Sequence, residues 1–248
     1  MSGHSKWSSI KHKKAATDAK RGALFTKLIK EITIAARNGG GSLETNASLR
    51  TAVQKAKGAN MPSDNIDRAI KKGTGELPGV VYESMIYEGY GAAGVAILVE
   101  VVTDNKNRAS AEIRNIFSKK GGNLAGAGSV SWMFSKKGYI LVDKGRVEED
   151  KLMDIALNAG AEDMKSEGDS FEIITGPAEL ETVKQKITDN NIEVQSAEVT
   201  MIPGSTIKVT GQDAKSVLAL VEALEEHDDV QKVHANFDIP DEELEQTA

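Results

Sequence analysis

The sequence predicts an α+β protein: an N-terminal three-helix domain, a middle α+β domain, and a ferredoxin-like βαββαβ domain inserted into the middle one. Three observations lead there. Apolar residues recur at helical spacing from Leu24 to Ile70. From Gly138 to about Met201 the patterns run strand, helix, strand, strand, helix, strand, the order of a split βαβ pair. The remainder, Thr206 to Phe237, holds one short strand, one helix and one strand. That is too little for a domain, so it must complete the sheet begun before the insertion.

The chain opens with MSGHSKWSSIKHKKAATDAKRG, where Lys6, Lys11, Lys13, Lys14, Lys20 and Arg21 face one acid, Asp18, and Trp7 and Ile10 are the large apolar side chains after the initiator. Such a stretch buries too little surface to offset its own ordering entropy and is expected to be mobile until a polyanion holds it.

Thr17 or Asp18 then caps a helix with Leu24, Leu28, Ile32 and Ala36 on one face, ending at Gly39, Gly40 and Gly41. Asn46 caps a second helix with Leu49, Ala52, Val53 and Ala56 inside, closed by Gly58. A third starts near Pro62 and Ser63, buries Ile66, Ala69 and Ile70, and ends at Gly73. The period then shortens: 81–90 and 95–103 read as a hairpin around Gly89, Gly91 and Gly94. In TDNKNR, Asp104, Asn105 or Asn107 caps a helix burying Ile113, Ile116 and Phe117, and a strand is expected at 129–135. The inserted unit is read as strands 139–143, 161–165, 170–175 and 192–201 with helices 148–159 and 177–190. The expected divisions are an arm 1–22, a helical domain 23–77, a discontinuous domain 78–136 with 205–240, an insertion 137–204 and an acidic tail 241–248.

Composition excludes several classes. With no cysteine among 248 residues there is no disulfide scaffold, thiolate zinc site or cysteine nucleophile. The most apolar run, Val95 to Val102, is too short for a membrane helix, and no apolar core follows the N-terminal charges, so a cytoplasmic protein is expected. GYGAAG, residues 89–94, matches G-x-G-x-x-G, but a strand pattern follows where a dinucleotide site needs a helix. His4, His12, His227 and His234 are scattered, which gives no metal site, and no acid and base are placed for catalysis. No cofactor, small-molecule substrate or enzymatic activity is expected.

The net charge of −6 conceals a dipole: residues 1–75 hold 15 Lys or Arg against 5 Asp or Glu, net +10, which leaves −16 for the other 173. A basic end on an otherwise acidic chain points to nucleic acid. The contact residues expected are Lys6, Trp7, Lys11, His12, Lys13, Lys14, Lys20 and Arg21, with Lys27 and Lys30 on the first helix. TDNKNR offers a second place for a phosphate, at a helix start beside Arg108, though helix capping explains it equally.

GHSKWSSIKHKKAATDAKRGALFTKLIKEI, residues 3–32, resembles the opening of the YebC family, also called PmpR-type transcriptional regulators, whose mitochondrial relatives activate translation. IYEGYG at 86–91, TDNKNR at 103–108, FSKKGGNL at 117–124, GSV at 128–130, FSKKG at 134–138 and AEVTMIP at 197–203 extend the resemblance along nearly the whole chain. Ala92 and Ala93 stand where the family often has Pro-Gly, and Ala125 where Gly is common. The resemblance implies three domains and a nucleic-acid-binding regulator without catalytic residue or cofactor. Its members are assigned either to promoter DNA, as transcriptional regulators, or to the ribosome, as factors that help translation through proline-rich stretches. For DNA, the glycine-rich connection at 39–42 is not a helix-turn-helix turn. For ribosomal or transfer RNA, a flexible arm with one aromatic suits an irregular surface. An acidic protein-interaction adaptor is the third class of reading.

Overall fold

The computed structural model of the chain describes residues 18–240 and 242–244. They form two compact units. One holds the described residues up to Ser131 together with those from Ile207 onward, and the other is Trp132–Thr206.

The first unit begins with helices α1 (Asp18–Gly39), α2 (Ala47–Gly58) and α3 (Ser63–Thr74). Ile32, Ala36, Leu49, Ala52, Val53, Ala56, Ile66 and Ala69 are buried together between them. Asn46 takes extended backbone and its Oδ1 accepts from Leu49 N at 3.0 Å, while its Nδ2 donates to Ala35 O and Gly40 O, both at 2.8 Å. One side chain thereby starts α2 and ties it to the end of α1. α1 starts at Asp18, so the last residues assigned to the arm are helical. Ala19, Lys20 and Arg21 are good helix formers and extend the periodic pattern backwards.

The same unit continues as a sheet. β1 (Glu83–Tyr90) pairs antiparallel with β2 (Ala96–Thr103) from Glu83↔Thr103 to Tyr90↔Ala96. α4 (Lys106–Lys119) and a two-residue strand β3 (Asn123–Leu124) follow, β3 pairing with the end of β1.

The second unit is β4 (Phe134–Asp143), α5 (Glu149–Asn158), β5 (Ala161–Glu167), β6 (Ser170–Thr175), α6 (Leu180–Asp189) and β7 (Val194–Pro203). Its sheet order, β5-β6-β4-β7 with antiparallel neighbours, is that of the ferredoxin-like fold. Ile140, Val142, Phe171, Ile173, Val183 and Ile187 fill its core. The strand expected at 129–135 is absent from the described structure. Residues 131–133 make a 3₁₀ turn, and one strand runs from Phe134 through the position expected to divide the domains. Alternation within 134–143 is masked by Lys136, Lys137 and Gly138, which split one strand into two apparent ones.

The chain then returns to the first unit through β8 (Ile207–Lys208), α7 (Gly211–Glu225), β9 (Val230–Ala235) and β10 (Phe237–Asp238). β9 pairs with β2 to complete the order β3-β1-β2-β9, as the shortness of this segment requires. β8 does not join that sheet; it pairs in parallel with β10. Ile97, Val99 and Val101 of β2 meet Ile113 and Phe117 of α4 and Val217, Val221 and Leu224 of α7 in one buried cluster. Gly89 lets this packing close, because a Cβ there would lie 2.5 Å from Phe117 Cε1.

The hairpin turn between β1 and β2 has Ala93 at φ 54 and Gly94 at φ 77. Left-handed backbone strains an L side chain and costs glycine nothing. Ala93→Gly is therefore expected to raise stability or leave it unchanged, by at most ~1 kcal/mol after the entropy cost of glycine in the unfolded chain. Urea unfolding measures this, and a loss above ~1 kcal/mol would contradict the strain.

Candidate nucleic-acid interface and the clamp beneath it

Of the sequence-predicted contact residues, Lys6, Trp7, Lys11, His12, Lys13 and Lys14 lie outside the described residues, and Lys20 and Arg21 fall in the first turn of α1 with side chains outside the description. Lys27 and Lys30 are described, and both turn inward. Lys27 Nζ donates to Glu225 O at 2.5 Å. Lys30 is 6% exposed, its Nζ lies 2.6 Å from Asp229 Oδ1 and donates to Asp228 O at 2.8 Å, and the Tyr82 ring centroid is 5.9 Å away. A lysine held in this way has no charge left for a phosphate. Lys30 is removed from the contact surface, because what looks like the polar face of a helix is here the face docked on the next domain.

Asp229 is the other half of the clamp. Its Oδ2 accepts from Thr103 Oγ1 at 2.9 Å and from Arg108 Nη2 at 2.8 Å, while Oδ1 takes Lys30. Burial opposes its ionisation, but the bonds from Lys30, Arg108 and Thr103 outweigh burial and lower its pKa from 3.8 to about 2. TDNKNR supplies much of this arrangement. Thr103 ends β2, Asn105 Oδ1 caps α4 by accepting from Arg108 N at 3.1 Å, and Arg108 Nη2 also reaches Asp104 Oδ1 at 3.0 Å. Capping and ion pairing thus occupy the motif, and Arg108 is taken up by carboxylates rather than left to a phosphate.

His227 completes the cluster. Its Nδ1 accepts from Asp229 N at 3.1 Å, so in the neutral ring Nε2 carries the proton and donates to Glu112 Oε2 at 2.9 Å. Ligand atoms of Glu112, His227 and Asp229 lie within 4.8 Å of one another, a grouping that the sequence separation of these residues conceals. Each of these atoms already has a protein partner, and Lys30 and Arg108 bring positive charge where a metal would sit.

A second buried carboxylate, Glu88 of β1, organises the loop after β3. Its oxygens accept from Gly128 N and Val130 N, both at 2.7 Å, and from Ser131 N at 2.8 Å. Burial raises its pKa less than these amides lower it, so it stays ionised.

Within the described part of the helical domain, the exposed cations without a carboxylate partner lie on α2, on α3 and at the end of α1, and Arg50 among them donates from Nη1 to Leu43 O at 2.7 Å and Glu44 O at 3.3 Å. Arg50, Lys57, Arg68, Lys71 and Lys72 are exposed, whereas Lys55 pairs with Glu31 at 2.8 Å. Arg37 at the end of α1 is exposed, with one donor to Tyr82 O at 3.3 Å. Four residues, Ala59 to Pro62, join α2 to α3, with Asn60 at φ 58. That is the length of a helix-turn-helix connection, which the glycine-rich segment at 39–42 is not. Exposed Asp64 and Asp67 occupy the N-terminal half of α3, the half that such a motif presents to base edges beside the phosphates.

Fold and site define a modular α+β protein with a basic helical head clamped to an acidic body. The chain belongs to the TACO1/YebC family: residues 5–76 match the TACO1/YebC protein N-terminal domain, and 82–237 match the TACO1/YebC second and third domain. It is similar to a probable transcriptional regulatory protein of Syntrophobacter fumaroxidans, 57% identical over 100% of both chains. A protein of the same description from Desulfatibacillum aliphaticivorans is 59% identical, covering 98% of this chain and 99% of that one. The crystal structure of a conserved hypothetical protein from Aquifex aeolicus is 48% identical, with a TM-score of 0.81 over 90% of this chain and 93% of that chain. No helix among the described residues is long and apolar enough to cross a membrane.

Removing the clamp's anion leaves Lys30 buried without a counter-charge, so Asp229→Asn is expected to cost about 3–5 kcal/mol in urea unfolding. Because the folded pKa of Asp229 is depressed from 3.8 to about 2, its contribution is complete above pH ~5 and is lost as pH falls toward 2. It amounts to about 2 kcal/mol, and a variant as stable as the parent at pH 7 would remove the clamp from the account. Glu88→Ala is expected to speed hydrogen exchange at Gly128, Val130 and Ser131 by at least about tenfold, with little change in the amides of α2. Unchanged protection at those three amides would show that the loop is held by other contacts.

Proposed function

We propose that the chain is a non-enzymatic, nucleic-acid-binding regulator of gene expression. Its basic arm, through Lys6, Trp7, Lys11, His12, Lys13, Lys14, Lys20 and Arg21, and the exposed cations of α2 and α3 neutralise phosphates and release counterions. The observation that carries this reading is the group of exposed cations Lys57, Arg68, Lys71 and Lys72, without an ion-pair partner among the described residues, while Lys30 and Lys55 of the same helical domain are spent on internal carboxylates.

The relatives' description as probable transcriptional regulatory proteins supports DNA as the polyanion, and so does the length of the turn between α2 and α3. The acids in the first half of α3 weigh against reading of base edges by that helix, which favours contacts to the backbone. The second reading, RNA on the ribosome, has its own support in exposed apolar residues beside the free cations, which duplex DNA has no means to use.

Lys11→Ala/Lys13→Ala/Lys14→Ala is expected to weaken binding to duplex DNA and to reduce the slope of log K against log salt by about 2–3. Fluorescence polarisation at several salt concentrations measures both. Unchanged affinity and slope would sink the arm as contact surface. Ribosome sedimentation of lysate at moderate salt, set beside crosslinked promoter recovery, separates the two polyanions.

A further inference from the structure

Between the end of α1, the end of α3 and the segment leading into β1 lies a groove of about 350 Å³. Its walls are of two kinds. Arg37 and Lys72 supply charge, and no carboxylate lines it among the described residues. Leu77, Val80 and Val81 supply apolar surface and stand 37%, 54% and 58% exposed. Adjacent valines left in water beside two cations are an unfavourable way to finish a linker unless something covers them.

Both cations are positioned. Arg37 is oriented by its bond to Tyr82 O at 3.3 Å and keeps its other donors. The stem of Lys72 runs along Gly79, 3.4 Å from where a Cβ would stand, and its ammonium has no polar partner among the described residues. The occupant must therefore join negative charge to an apolar, flat or flexible group at short range. An unpaired nucleotide does this, with its phosphate toward Arg37 and Lys72 and its base on Leu77, Val80 and Val81. A duplex offers the phosphates alone, because its bases are paired and stacked inside.

We infer that this groove is a subsite for an unpaired nucleotide and that it makes the protein prefer single-stranded over duplex nucleic acid. The inference rests on the nucleic-acid-binding reading above and names the form of the partner.

The test uses the full chain, a labelled oligouridylate and a labelled duplex RNA of equal length. Val80→Ser/Val81→Ser, at exposed positions, is expected to weaken oligouridylate binding about fivefold and duplex binding by less than about twofold, with the salt slope retained. Arg37→Ala/Lys72→Ala is expected to lower the oligouridylate slope by about 1.4. The chain has no cysteine, so Val80→Cys creates a single thiol whose alkylation should slow when oligouridylate is present and not when the duplex is. If the serine variant binds both probes as the parent does, while the triple arm variant loses affinity, the groove is overturned and the arm reading stands. Equal losses on both probes likewise overturn the preference for unpaired nucleotides. If the parent binds neither probe nor DNA, both readings fall together.

Discussion

The buried carboxylate of Asp229 is what the first unit is assembled on. It reaches Lys30 on α1, Thr103 at the end of β2 and Arg108 on α4 within 2.9 Å, and its own backbone oxygen accepts from Val102 N at 2.8 Å. One anion thereby fixes the helical domain to the sheet and the sheet to its first helix. In so polar a cluster each member is needed by the others: the carboxylate stays ionised because of its donors, and buried Lys30 has the carboxylate as its partner.

Glu88 repeats the logic on a smaller scale, with backbone amides in place of side chains. Both are buried acids of the kind that a search for catalytic groups would select, yet both are held ionised by a full set of donors. A carboxylate whose lone pairs are engaged and whose pKa is depressed is a poor proton acceptor near neutrality. The perturbation here belongs to assembly rather than to acid–base chemistry.

This explains which parts of the molecule were legible in the sequence. Helices α2 and α4 could be read nearly to the residue because Asn46 and Asn105 set their starts by bonds spanning three residues. The ferredoxin-like unit was legible because its strands and helices alternate without long loops. The burial of Lys30 and the ion pair of Arg108 were not legible because their partner is 199 and 121 residues away, and no local pattern separates a lysine facing water from one facing another domain. The groove was hidden for the opposite reason: Val81 reads as the first residue of a strand, and only the fold shows that β1 begins at Glu83 and leaves both Val80 and Val81 outside.

The clamp also decides which cations of the helical domain stay exposed. By engaging Lys30 and Arg108 it leaves the exposed cations of the described helical domain on α2, on α3 and at Arg37. Interactions of exposed cations with phosphates are screened by salt and carry no information about pairing or sequence. Apolar contact in a groove is short-ranged and far less sensitive to salt. An electrostatic contribution and an apolar one respond differently to conditions: raising salt weakens both a complex held by cations alone and one with an added apolar contact, and it leaves the ratio between them unchanged. A surface that carries both kinds of contact therefore keeps its apolar selectivity at ionic strengths where the electrostatic contribution is already weak.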